Sequence, residues 1–179
     1  MQRLLILSDT HVPDFAGAVP AWVLRLAERC DLIIHAGDVT SVAVLEQLAA
    51  LAPLAVALGN IDREEVAAWG AQPVVTRTVE GVAIAALHDA GQRRGREARL
   101  RARFPGADVI VFGHSHQPEI LRDGPTWLVN PGSPTWKRRQ PASTVVTATV
   151  DGSSFTAGLV SDDQPPADGG RQAGGGESS

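Results

Sequence analysis

Two carboxylates, one amide and four imidazoles recur along the chain at near-regular intervals. They are Asp9 and His11, then Asp38, Asn60 and His88, then His114 and His116. The steps from Asp9 to Asp38, Asp38 to Asn60, Asn60 to His88 and His88 to His114 are 29, 22, 28 and 26 residues. Each step is close to one strand–helix–strand unit of ~30 residues. Oxygen and imidazole donors together suit borderline divalent metals such as Mn, Fe, Ni or Zn better than a calcium cage of hard oxygens. Seven donors exceed one tetrahedral site and fit two ions that share a carboxylate. Two ions ~3.5–4 Å apart can clamp the attacking and leaving oxygens of a phosphoryl group. Two dications, two aspartates and a bridging hydroxide leave a net positive charge, which attracts phosphate and stabilises its transition state.

The elements that must position these donors follow from the apolar pattern. Each cluster directly succeeds a short uncharged run: Leu4–Leu7, Leu32–Ile34, Leu54–Leu58, Val82–Leu87 and Val109–Phe112. Such runs read as strands covered on both faces. Amphipathic stretches between them, Val19–Arg29, Val42–Leu51, Arg63–Trp69 and Gln92–Phe104, read as helices. Alternation of this kind predicts an α/β sheet whose strand carboxyl ends share one ligand-binding edge, so the five clusters are expected to converge there. From Glu119 the helical pattern stops. Glu119–Arg122, Thr126–Val129, Thr144–Val150 and Phe155–Val160 read as strands, with Asp123-Gly124 and Asp151-Gly152 as hairpin turns. They predict an antiparallel extension or a second sheet. The organisation expected is one domain over residues 1–160 and a disordered Gly/Ser/Pro-rich tail over 161–179, a composition with too little apolar surface to offset its ordering entropy.

With 179 residues, 44% of them apolar, the chain can bury a core, which excludes disorder throughout and a coiled coil. Sixteen Lys and Arg against 20 Asp and Glu give a formal net charge of −4, against a dedicated nucleic-acid binder. The single cysteine, Cys30, excludes a disulfide framework and a CxxC metal site, and reads as a small core residue. No apolar run approaches the ~18 residues of a membrane span or the ~7–15 of a signal-peptide core. A cytoplasmic protein with reduced Cys30 is the simplest expectation.

The ordered motifs Ser8-Asp9-Thr10-His11, Gly37-Asp38, Gly59-Asn60, His88 and Gly113-His114-Ser115-His116 resemble those of the calcineurin-like metallophosphoesterase superfamily. Within it, the chain is similar to the compact YfcE-type phosphodiesterases over roughly residues 1–160. The resemblance implies a mixed α/β fold, a four-layer β-sandwich flanked by helices. It implies that Asp9, His11, Asp38 and His116 hold one divalent ion and Asp38, Asn60, His88 and His114 the other, with Asp38 bridging and manganese the leading metal. It further implies a phosphoesterase, a phosphodiesterase first, in which metal-bridged hydroxide attacks phosphorus while Asn60, His88 and His114 frame the phosphate. A small phosphodiester or phosphate ester is then the partner, with no membrane, and nucleic acid only as substrate. A homo-oligomer stays open. The larger phosphatases carry a histidine after the motif asparagine, used as a general acid; this chain has Ile61 there. His88 is followed by Asp89 instead of the family's usual glycine.

Blander roles stand beside these. Asp9 or Asp38 alone after a strand could be a helix cap. His35 reads as structural or as support for a ligand, and Asp62 and Asp89 either orient histidine ligands or serve as caps and turns. The arginines 93, 94, 96, 99, 101 and 103 fall on several faces of one helix and read as a solvated surface. Asn130-Pro131-Gly132-Ser133 reads as a tight turn near the site, and Trp136-Lys137-Arg138-Arg139 as cations and an aromatic that could reach a substrate. Two other functions compete. One is a non-catalytic binding scaffold on the same fold, as in the retromer subunit. The other, a dinucleotide-binding module, needs a Gly-rich turn after the first strand, and Ser8–His11 contains no glycine.

Overall fold

The structure is a computed structural model that describes residues 1–163. The expectation of a disordered tail therefore lies, from residue 164 onward, outside the described residues. The first five strands and three helices run β1 (Gln2–Leu7), α1 (Ala21–Ala27), β2 (Leu32–His35), α2 (Val42–Ala49), β3 (Leu54–Val56), α3 (Glu64–Trp69), β4 (Val74–Val79) and β5 (Val82–Leu87). There follow α4 (Arg96–Arg103), β6 (Val109–Val111), β7 (Glu119–Asp123), β8 (Thr126–Asn130), β9 (Thr144–Asp151) and β10 (Ser154–Ser161).

The strands form two five-stranded sheets, ordered β10-β9-β1-β2-β3 and β4-β5-β6-β8-β7. Each sheet has a parallel core, β1-β2-β3 in the first and β5-β6-β8 in the second, and antiparallel flanks. This corrects the single-sheet expectation: the fourth and fifth clusters belong to the second sheet, and only the first three share an edge of the first. The cause is a strand the apolar-run reading passes over. β4, Val-Val-Thr-Arg-Thr-Val, is a half-exposed edge strand that pairs antiparallel with β5 through a turn at Glu80-Gly81. It gives β5 a partner outside the first sheet. The second half divides between the two: β9 and β10 extend the first sheet, β7 and β8 the second.

Alternation along the strands makes four layers. In β1, Leu4 and Ile6 point to the core between the sheets, where they meet Ile84, Val109, Val111 and Val129. Leu5 and Leu7 point the other way, onto Val23 of α1, Val44, Leu45 and Leu48 of α2 and Val66 of α3. On the outer face of the second sheet, Ile110, Phe112 and Leu128 pack against Leu100 of α4. The layers are thus helices, sheet, sheet and helix. The helices are shorter than the amphipathic stretches. α2 starts at Ser41, whose hydroxyl accepts the Ala43 N–H, and α3 ends at Gly70 with φ of 127°. α4 starts only at Arg96, after Gly95 in a left-handed conformation.

Arginines 93, 94, 99, 101 and 103 are exposed, as expected, and Arg96 alone departs from the solvated surface. Arg96 is largely buried, with its guanidinium 4.9 Å from the Phe112 ring centre and 2.9 Å from Glu119. Arg101 pairs with Asp123 at 3.2 Å, and Arg99 donates to the Arg94 carbonyl at 2.7 Å. They tie α4 to β7 and to the loop that precedes α4.

Ile6 is fully buried at the centre of the inter-sheet layer. Ile6→Ala is expected to lower unfolding free energy by about 2–5 kcal/mol, whereas Leu121→Ala on exposed β7 should change it by less than ~1 kcal/mol. Urea titration of both variants checks this; equal effects would contradict the layer assignment.

Candidate metal centre

The carboxyl ends of the two parallel cores meet at one seam. The first sheet brings Asp9 and His11 from the loop after β1, Asp38 from the loop after β2 and Asn60 from the loop after β3. The second brings His88 from the end of β5, and His114 and His116 from the loop after β6. All seven expected residues therefore come together, from two sheets.

The donor atoms gather into two groups. In the first, His116 Nε2 lies 3.1 Å from Asp9 Oδ1 and 3.1 Å from His11 Nε2, which is itself 3.6 Å from Asp9 Oδ1. In the second, His88 Nε2 lies 3.1 Å from Asp38 Oδ2, 3.0 Å from Asn60 Oδ1 and 3.3 Å from His114 Nδ1, and His114 Nδ1 lies 2.9 Å from Asn60 Oδ1. Asp38 Oδ2 also lies 3.9 Å from His11 Nε2, so this oxygen stands between the groups. Asp9, His11 and His116 form one set whose donors could hold an ion, and Asp38, His88 and His114 a second.

Hydrogen bonds aim these atoms. Asp9 Oδ2 accepts from the Ser8 hydroxyl at 2.6 Å and the His114 N–H at 3.0 Å, which leaves Oδ1 turned toward the histidines. Asp38 Oδ1 accepts the Ile61 N–H at 3.1 Å, which leaves Oδ2 at the centre. The Nδ1 of His88 meets the Ala36 carbonyl at 2.8 Å, and that of His116 meets the Trp136 carbonyl at 2.6 Å. Carbonyls accept only, so both rings carry the proton on Nδ1 and present an Nε2 lone pair to the seam.

Two observations test whether a cation belongs here. Asp9 Oδ1 is buried with no hydrogen-bond partner among the described residues, and an uncompensated buried carboxylate oxygen is costly. The imidazole nitrogens approach at 3.1 and 3.3 Å, close to the spacing of ligands bound ~2.0–2.1 Å from one ion. The donor set fits two divalent ions.

The backbone is bent to suit. Asp9, His11, Asp38, His114 and His116 all have positive φ, between 46° and 68°. Residues with a Cβ are uncommon in this left-handed region, and clusters of them mark functional sites. The loops are held there by Asp9 N–H to Gly37 O at 2.9 Å, His11 N–H to Asp38 O at 3.1 Å and Ser133 Oγ to Asp9 O at 2.7 Å. Asn130 closes the turn expected near the site by accepting the Gly132 N–H on Oδ1 at 2.9 Å, and its amide N–H groups donate to Gly113 O and Ser115 Oγ.

Electrostatics follow from the same contacts. Burial works to raise the Asp9 pKa, but its contacts with His11 and His116 prevail and hold the carboxyl below the usual range. Burial likewise opposes the ionised form of Asp38, and His88 overrides it, so Asp38 is lowered too. His88 is raised despite desolvation, chiefly by Asp38.

The supporting residues divide. Asp62 orients no histidine; it accepts the N–H groups of Gly59, Asp38 and Thr40 at 2.7, 3.1 and 2.8 Å and staples the loops after β2 and β3. Asp89 accepts the Gly91 N–H at 2.7 Å, a turn role. His35 is fully buried, with Nε2 3.2 Å from Thr10 Oγ1 and Nδ1 accepting the Gly37 N–H. Sequence reasoning placed Ser8 and Ser133 within site motifs without a role of their own, and it missed the Trp136 carbonyl. Serine and a backbone carbonyl carry no distinctive spacing signal.

Two outcomes are expected. An alanine Cβ at Gly59 would fall inside contact distance of the Asp38 backbone nitrogen and Oδ1. Gly59→Ala should therefore weaken Mn²⁺ binding, measured by calorimetry, by more than about tenfold with the far-ultraviolet spectrum unchanged. Second, burial pushes His35 down to about 4. The unfolded imidazole titrates near 6.5, so the unfolded state binds more protons between those values, and stability is full above ~6.5 and falls as pH drops toward ~4. Metal-free parent protein should lose roughly 2 kcal/mol more than His35→Gln between pH 7 and 4.5. Parallel pH dependence of the two would refute this.

A calcineurin-like phosphoesterase superfamily domain matches residues 2–153. A probable metallophosphoesterase of Methanothermobacter thermautotrophicus is 36% identical over 159 residues, 87% of this chain and 90% of that protein. Among solved structures, Vps29 of Chaetomium thermophilum superposes with a TM-score of 0.74 at 18% identity, over 89% of this chain and 97% of the other. Vps29 of Entamoeba histolytica complexed with Zn²⁺ does so with a TM-score of 0.72 at 20% identity, over 89% and 98%. The chain belongs to the calcineurin-like phosphoesterase superfamily.

Proposed function

We propose that the chain is a dinuclear-metal phosphodiesterase. Asp9, His11 and His116 would hold one ion and Asn60, His88 and His114 the other, with Asp38 shared. The observation that carries this reading is the position of Asp38 Oδ2, 3.1 Å from His88 Nε2 and 3.9 Å from His11 Nε2. When bound, two divalent ions supply a nucleophile from water at neutral pH and offset charge on the phosphoryl oxygens. The chain's own residues do the rest. Nδ1–H bonds to the Ala36 and Trp136 carbonyls hold the rings of His88 and His116 in their ligating tautomer. Asn60, His88 and His114 line the side of the seam where a phosphate would be framed.

Ile61 follows Asn60 with an exposed side chain that cannot donate a proton. Diesters with good leaving groups are therefore the favoured substrates. The donors suit Mn, Fe, Ni or Zn, manganese leads by the family resemblance, and the zinc complex of the Entamoeba relative supports a divalent cation in this fold. The lone Cys30 fits a reducing compartment such as the cytoplasm. Among the described residues no helix is long and apolar enough to cross a membrane.

Hydrolysis of bis(p-nitrophenyl) phosphate tests the reading. The parent should turn over with added Mn²⁺ and stop with chelator. Asp38→Ala should abolish turnover without rescue, because it removes the one oxygen common to both groups. His116→Ala should regain part of its rate at millimolar Mn²⁺, because it disturbs one group only. Most of the parental rate in Asp38→Ala would refute the shared-ligand assignment. A binding scaffold is the second reading, supported by the likeness to Vps29, which from Chaetomium thermophilum is also known in complex with a cyclic peptide. A metal-loaded protein inert toward every phosphate ester would favour it.

A further inference from the structure

Beside the first donor group, the rim of the seam carries an aromatic pair that the metal chemistry does not require. Phe15, in the loop after β1, is 53% exposed. Its ring lies parallel to that of Trp136, with centroids 3.9 Å apart and planes 12° apart. Both rings stand edge-on to His11, at 5.4 and 5.5 Å, and Trp136 stands edge-on to His116 at 5.1 Å. The stack is therefore one ring away from two of the donors. The exposed guanidinium of Arg138 lies 4.6 Å from the Trp136 ring centre and reaches toward the His114 carbonyl at 3.5 Å.

Resting on the phosphoesterase reading, we propose that Phe15, backed by Trp136, is a stacking platform for a nucleobase, so that the substrates are nucleoside phosphodiesters. A phosphate drawn to the donor groups leaves its ester substituent at this rim, where Phe15 presents apolar area beside polar surroundings. A planar π-system gains by stacking there, and an aliphatic substituent has no equivalent gain. Trp136 fixes the ring from behind, so little side-chain freedom is lost on binding. Arg138 adds positive charge for a phosphoester anion at the same rim. Phe15 stands edge-on to the His11 ring and offers no side-chain donor atom of its own, so its role toward a substrate is to the substituent, which makes it a specificity residue.

The test compares binding of adenosine 5′-monophosphate and ribose 5-phosphate to the full-length, Mn²⁺-loaded protein by calorimetry. The two share phosphate and sugar and differ in the base. The nucleotide should bind at least about fivefold more tightly, the low end of base–aromatic stacking. Phe15→Ala should bring the ratio near unity with its manganese content unchanged, and Phe15→Trp should restore it. Equal binding by the parent, an unchanged ratio in Phe15→Ala, or loss of manganese from that variant would each overturn the platform. Hydrolysis of bis(p-nitrophenyl) phosphate separates the two levels. Turnover without a base preference refutes the platform alone, whereas a Phe15-dependent preference without turnover refutes the phosphoesterase reading and upholds the platform.

Discussion

Two aspartates withdrawn from water set the terms for the rest of the structure. Asp9 is fully buried and Asp38 nearly so, yet both carboxyls stay below their usual pKa range, because hydrogen bonding and positive charge from the facing imidazoles, when these are protonated, outweigh burial. A buried carboxylate is tolerable only when positive charge or donors compensate it. Here part of the compensation is built in: Ser8, Ile61 and the His114 N–H satisfy the outward oxygens. The inward oxygens face Nε2 of His11, His88 and His116, and in the last two the Nδ1 proton is committed to a carbonyl on the far side of the ring. That arrangement is poor as a hydrogen-bond network and good as a ligand set.

The surrounding fold maintains it. Five of the donor residues sit in the left-handed backbone region, at a cost of order 1–3 kcal/mol each. Such strain persists only where the frame over-determines it. The frame is two sheets locked face to face by Leu4, Ile6, Val109, Val111 and Val129, with their parallel cores ending at the same level. Loop-to-loop bonds, Asp9 to Gly37 and Asp62 to Gly59, Asp38 and Thr40, then fix the strand ends to one another. Gly113 lets the second sheet close on the first, because a side chain there would strike Ser8 and Asp9.

The site was legible in the sequence to a greater depth than the fold. The donors are polar residues placed directly after charge-free runs, and their spacing tracks the strand–helix repeat whichever sheet each strand joins. Convergence was therefore foreseeable, while its origin in two sheets was not. β4 hides that division: its exposed Thr76, Arg77 and Thr78 break the apolar run, although its β-branched residues and the Glu80-Gly81 turn are a hairpin signal. The α4 arginines look solvated on a helical wheel, but Arg96 finds Glu119 and Phe112 from a different part of the chain. Long-range partners of that kind leave no mark in local periodicity. Of the two roles open to Asp62, the structure shows the one toward backbone N–H groups, because a carboxylate in a loop of the site can serve these as well as an imidazole.

The central claim is that one seam holds two ions that share Asp38. Counting metal tests it directly. The protein, stripped with chelator, reconstituted with Mn²⁺ and desalted, should retain about two ions per chain, as two donor groups with a common carboxylate imply. Retention of about one ion, or none, would contradict it.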